Sequence, residues 1–237
     1  MDFRRMLIFP VLAMILALPV AGGNNGTSLK GSASLDRNRP VVGASVRISP
    51  ENDRSRYLLT STDGQGLLET MDLPDGDYQV SFTKEGLTPV MKSAVNVRFP
   101  FRPVVEVKMT PGPDSEPAPA AVDSEDLLDL TGRVLTREGD PVADVTVRLV
   151  RLDGGGDPLK IRSAEDGTLT GSELAPGSWA VEVRAAGFLS IRSVLDLEGP
   201  VLLVALLIPQ PASYLAPAMD LLPDEQPVPP AGATPLP

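Results

Sequence analysis

Apolar residues alternate with polar ones in short runs along this chain. Val42, Ala44, Val46 and Ile48 form one such run, Tyr78, Val80 and Phe82 a second, Val145, Val147 and Leu149 a third, and Trp179, Val181 and Val183 a fourth. A period of two puts alternate side chains on opposite faces of an extended strand, so each run predicts a strand with one buried face. Asp-Gly, Pro-x-Gly and Pro-Gly between the runs supply turns. No helical periodicity stands out after residue 23. Two runs near the ends of their regions differ: Val104-Val105-Glu106-Val107-Lys108-Met109 alternates, whereas Val201-Leu202-Leu203-Val204-Ala205-Leu206-Leu207-Ile208 is apolar on both faces.

The runs belong to a repeat. Leu29-Lys30-Gly31 matches Leu130-Thr131-Gly132, Pro40-Val41 matches Pro141-Val142, and Val46-Arg47-Ile48 matches Val147-Arg148-Leu149. Further on, Asp63-Gly64 is aligned with Asp166-Gly167, Leu73-Pro74-Asp75-Gly76-Asp77-Tyr78 with Leu174-Ala175-Pro176-Gly177-Ser178-Trp179, and Glu85-Gly86-Leu87 with Ala186-Gly187-Phe188. Two copies of one unit, each too small to hide its apolar faces except by folding two sheets together, predict an all-β protein of two tandem β-sandwiches. Tyr78 and Trp179 are the expected large core residues beside matching turns.

The remaining segments are read from composition. Arg4 and Arg5 precede an apolar stretch from Met6 to Val20 and then small residues, the pattern of a secretory leader, here 1–22. A short leader remnant, 23–28, precedes the first sandwich, 29–110. Residues 111–127 are rich in Pro, Ala and acids and are expected to form a disordered spacer. The second sandwich is 128–208, and 209–237 is a Pro-rich tail. The expectation is an exported chain, periplasmic or extracellular, with no membrane span once the leader is removed.

Composition narrows the chemistry. The chain has no Cys and no His, which removes disulfides, thiolate chemistry, the usual zinc ligands and the usual base near neutral pH. No cofactor, metal or catalysis is expected. The net charge is −10, and the spacer alone carries five acids and no base, while no basic stripe with interleaved aromatics stands out; nucleic acid is not an expected partner.

The order Gly-x-Val, Pro-Val-x-x-x-x-Val, Asp-Gly, then Leu-x-Pro-Gly-x-Trp-x-Val-x-Val-x-x-x-Gly-Phe resembles the carboxypeptidase regulatory-like domain, a transthyretin-like (Ig-like) sandwich. The second copy fits closely; the first has Ala33 for the usual Val and Leu87 for the usual aromatic. The resemblance implies accessory, adhesive or carbohydrate-binding-like modules. Cna-type B modules are similar, and many carry a Lys to Asn or Asp crosslink promoted by a buried Glu. The matching inward positions here are Phe82 and Val183, and alternation turns Glu182 outward, so no crosslink is expected. Transthyretin-like hydroxyisourate hydrolases are similar too, but their activity rests on histidines.

Three kinds of candidate site remain. The doubly apolar strand, with Val201, Leu203, Ala205 and Leu207, must be covered, either internally by the first module or the tail (Tyr214, Leu215, Met219, Leu221, Leu222), or by docking another envelope protein. Tyr57, Tyr78 and Trp179 are the candidate platform for a polysaccharide. Asp72, Asp75 and Asp77 lie close together in sequence, as paired carboxylates for glycoside hydrolysis would, but they flank a turn and make this a remote alternative. Asp63 and Asp166 are read as hairpin-turn residues rather than calcium ligands, and Gly154-Gly155-Gly156 as a hairpin tip. The function expected is a non-catalytic binding or structural accessory of the bacterial cell envelope acting by docking or adhesion, with carbohydrate binding as the alternative.

Overall fold

A computed structural model describes residues 27–35, 39–53, 55–112, 127–153 and 157–212. The leader, most of the spacer, Gly154-Gly155-Gly156 and the tail residues from 213 onwards lie outside the described residues. In the first copy the strands are β1 (Thr27–Ser34), β2 (Ser45–Pro50), β3 (Arg56–Ser61), β4 (Leu67–Leu73), β5 (Gly76–Lys84), β6 (Leu87–Val97) and β7 (Val104–Lys108). The second copy repeats them as β8 (Leu128–Thr136), β9 (Thr146–Arg151), β10 (Leu159–Arg162), β11 (Thr168–Leu174), β12 (Gly177–Arg184), β13 (Ile191–Leu197) and β14 (Val201–Leu207). The protein is all-β, two tandem β-sandwiches. Among the described residues there is no helix long and apolar enough to cross a membrane.

Each copy stacks a three-stranded layer on a four-stranded one. The layers are β4-β1-β7 on β3-β2-β5-β6 in the first copy and β11-β8-β14 on β10-β9-β12-β13 in the second. The alternating apolar residues of both layers meet between them: Leu29, Val46, Leu68, Val80, Phe82 and Val105 in the first core, Leu130, Val147, Leu169, Val181, Val183 and Leu203 in the second. Tyr78 and Trp179 are buried as expected, and their polar atoms are satisfied alike. The Tyr78 hydroxyl donates to the Pro74 carbonyl at 2.9 Å and the Trp179 indole N–H to the Ala175 carbonyl at 3.0 Å, each reaching four residues back to the preceding turn.

The repeated Gly31 and Gly132 stand at equivalent points of two parallel strand pairs, opposite Val105 and Leu203. A Cβ at Gly31 would lie 2.7 Å from the Val105 carbonyl oxygen, and one at Gly132 would lie 2.3 Å from that of Leu203, so neither site accepts a side chain.

One correspondence differs from the sequence alignment. The turn before the fourth strand places Gly66 (φ 72°) and Gly167 (φ 75°) at equivalent points, with Gly66 donating to Asp63 and Gly167 to Ala164. Asp63 therefore answers Ala164, not Asp166. The positive φ, which only glycine adopts without strain, sets the register; the two Asp-Gly pairs fall two residues apart.

The copies are not separate beads. β14 pairs in parallel with β8 on one side and with β3 of the first copy on the other, with Leu203 opposite Tyr57 and Ala205 opposite Leu59. One seven-stranded sheet, β11-β8-β14-β3-β2-β5-β6, thus runs through both copies.

Candidate docking site

The strand expected to dock a partner is occupied by the chain itself. Val201 is 3% exposed, and Leu203, Ala205 and Leu207 are 0% exposed; all four belong to the second core, together with Tyr57 and Leu59 from β3. The docking surface expected at these four residues is corrected to part of the second core, which β3 of the first copy also enters. The physical reason is the pleat of the strand: like Val105 and Val107 on β7, these residues point between the two layers of their own sandwich, where Tyr57 and Leu59 of β3 join them, while Leu58 packs on the first core, so that β3 contributes to both sandwiches. Of the two internal covers considered, the first module is the one present among the described residues.

The junction carries polar contacts as well. The Tyr57 hydroxyl donates to the Asp196 carbonyl at 3.0 Å, and burial pushes its pKa up. The Arg47 guanidinium lies 5.9 Å from the Tyr57 ring centroid and donates to the Val194 carbonyl. Arg192 reaches Glu182 at 2.7 Å and, across the junction, Glu85 at 3.3 Å, while its N–H donates to Ser45 Oγ at 2.8 Å. Burial raises the Glu182 pKa, but hydrogen bonds and charge from Arg192 and Arg184 outweigh it and hold the carboxyl below its ordinary value. Glu182 points away from the core, where Phe82 and Val183 lie fully buried.

The aromatic platform is corrected too. Tyr57 and Tyr78 are 5% exposed and Trp179 is 7% exposed, because each points into a core with its polar atom bonded to a carbonyl. None presents a ring face to a sugar. The acids act in turns: Asp63 accepts the Gln65 and Leu67 amides, each at 2.9 Å, and Asp166 accepts the Thr168 amide and hydroxyl at 3.0 and 2.6 Å. Asp75 accepts the Phe99 amide at 3.1 Å and Asp77 the Asn96 side-chain amide at 2.6 Å. Among the described residues no three acids converge to hold a metal ion.

A different region has the features of a binding site. The connection from β6 to β7, residues 98–103, reads Arg98-Phe99-Pro100-Phe101-Arg102-Pro103, and its counterpart between β13 and β14, residues 198–200, is only Glu198-Gly199-Pro200. The longer loop is closed on itself by the Phe101 amide donating to the Arg98 carbonyl at 2.8 Å and is held to the β4–β5 turn by Asp75. Phe99 is 57% and Phe101 75% exposed, and both arginines face solvent. Met91 on β6 and Val104 at the start of β7 are exposed as well. Between β6 and β7, which are joined at one end by the loop and at the other by the Thr88 amide donating to the Thr110 carbonyl at 2.9 Å, runs a cleft of ≈ 330 Å³ lined by Lys92, Ser93, Val95, Val104, Val105 and Glu106. The available sequence signal was the Phe-Pro-Phe between two arginines inside an otherwise strand-like run, in a stretch where the second copy has three residues fewer.

No protein-family model matches the chain, and no curated protein does. Solved structures that it is similar to include the TIE protein of Bacillus anthracis, at 16% identity and a TM-score of 0.32 over 76% of this chain and 33% of that one. Another is GBS52, the minor pilin of Streptococcus agalactiae, at 12% identity and 0.28 over 81% of this chain and 100% of that one. A third is 3-chlorocatechol 1,2-dioxygenase of Rhodococcus opacus 1CP, at 20% identity and 0.27 over 31% and 44%. The chain thus spans a third of the TIE protein and less than half of the dioxygenase. Overlaps this loose carry no functional argument.

Proposed function

We propose that this chain is an exported, non-catalytic docking protein of the bacterial cell envelope, built from two modules of the carboxypeptidase regulatory-like or Cna-B-like kind. The observation that carries the reading is the internal control provided by the repeat. Two copies solve the same folding problem, and only one has lengthened a loop to hold two phenylalanines in solvent. Folding does not need those rings, since the second copy closes the same connection without them; exposed aromatics on a rigid scaffold are the usual mark of a binding surface. The shared sheet supplies the rigidity. Polysaccharide binding, the alternative, retains Phe99 and Phe101 as the exposed stacking surfaces among the described residues.

The test is photo-crosslinking in the native cell from a probe at Phe101, with one at Leu203 for comparison. The probe at Phe101 is expected to capture a component of the envelope and the probe at Leu203 only the protein's own first module. Capture at Leu203 but nothing at Phe101 would remove the loop from the function.

A further inference from the structure

Resting on that reading, we infer that the Arg98–Arg102 loop is a membrane-docking tip, with Phe99 and Phe101 entering the interface of a phospholipid bilayer and Arg98 and Arg102 pairing with its phosphates. The shape of the loop argues for this partner. It is a tight turn, closed by the Phe101 amide on the Arg98 carbonyl, and its two rings are 57% and 75% exposed. A specific protein interface buries about 800 Å² on each partner, whereas two phenylalanine side chains offer at most about 500 Å² between them, and a bilayer interface accepts a small amphipathic tip reversibly. The chemistry agrees. Phe partitions into the acyl boundary, and a guanidinium offers planar paired donors to a phosphate.

Charge alone does not drive the contact. Asp75 and Asp77 stand at the base of the loop, the first accepting the Phe99 amide at 3.1 Å and the second the Asn96 side chain at 2.6 Å, and they offset Arg98 and Arg102. The rings therefore carry the larger share, and the second copy, whose equivalent loop is Glu198-Gly199-Pro200, has no such tip.

The experiment is flotation of the full exported chain with vesicles of phosphatidylcholine and phosphatidylglycerol in equal parts, comparing wild type with Phe99→Ser/Phe101→Ser and Arg98→Gln/Arg102→Gln. Both variants change exposed side chains, so an unchanged melting temperature verifies the fold. The expected result is that wild type floats, that the double Phe variant loses about tenfold in partitioning for each ring, and that the double Arg variant loses up to about fivefold for each charge. Failure of wild type to float, or equal flotation of all three proteins, overturns the inference. The docking reading is judged separately by the crosslink at Phe101. Capture of a protein there without vesicle binding rejects the bilayer and keeps docking, while neither result rejects both.

Discussion

The last strands of the two copies, β7 and β14, occupy the same place in the same sandwich and meet different fates. Each runs parallel to the first strand of its copy, with Val105 opposite Gly31 and Leu203 opposite Gly132. Beyond that, β14 has β3 on its far side, and among the described residues β7 has no paired strand there. The outward residues follow suit: Val204 and Leu206 on β14 stand where β7 has Glu106 and Lys108. The strand that answers β3 in the second copy, β10, likewise carries Lys160 where β3 has Leu59. Charged edge residues disfavour strand addition, so the pattern that joins the two copies is not continued at either free edge. A repeat thus becomes a closed pair through a few outward positions, while the inward pattern stays common to both copies.

The strongest way to break this comparison is to exchange one outward residue. Leu206 is 1% exposed, so Leu206→Lys sets a charge at a buried site and is expected to cost about 3 kcal/mol or more in a denaturant melt. The converse Lys108→Leu lies on the exposed face of β7 and should stay within about 0.5 kcal/mol. Equal costs would mean that the two strands share an environment.

A smaller effect is expected from the hydrogen bond that crosses between copies. Tyr57→Phe removes the donor to the Asp196 carbonyl and should cost about 1 kcal/mol. No loss in stability would place the Tyr57 hydroxyl in water and loosen the junction.

Acid sharpens the comparison further. Because the folded Glu182 pKa lies below its ordinary value, its contribution to stability is complete above the unfolded value and is lost as pH falls through the folded one. Glu182→Gln is expected to flatten that acid limb while leaving the slope near neutral pH unchanged, as read from melts at a series of pH values. The smallest effect belongs to the loop: Phe99→Ser/Phe101→Ser should leave stability within about 0.5 kcal/mol of wild type, since neither ring is buried.

Much of the fold was legible because a strand with one buried face writes itself as alternation. Val46 and Ile48, Val147 and Leu149, and Val80 and Phe82 all point inward, and Tyr78 and Trp179 sit where the alternation and the adjoining turns put them. Val42 did not follow: Val41 is the buried one of the pair, in the loop before β2 begins. Residues on both faces of β14 are buried, Leu203 on one and Leu206 on the other, but no local pattern names the neighbour the strand takes, because β3 lies far away in sequence. The loop escaped for the opposite reason. In Val97-Arg98-Phe99-Pro100-Phe101-Arg102-Pro103-Val104 the apolar residues alternate as they would in a strand, and only the closed turn turns both rings outward.

The junction of the two copies is the central claim, and backbone hydrogen exchange tests it most directly. The Leu202 amide donates to Ser55 of the first copy at 2.8 Å, and Val204 alternates with it on the same edge. On β7 the Met109 amide donates to Ser34 at 2.8 Å, and alternation turns the amides of Val104 and Glu106 away from β1. Exchange at Leu202 and Val204 is expected to require global unfolding, and exchange at Val104 and Glu106 to be faster by orders of magnitude. Rapid exchange at Leu202 and Val204, matching that of Val104 and Glu106, would contradict a sheet shared between the copies.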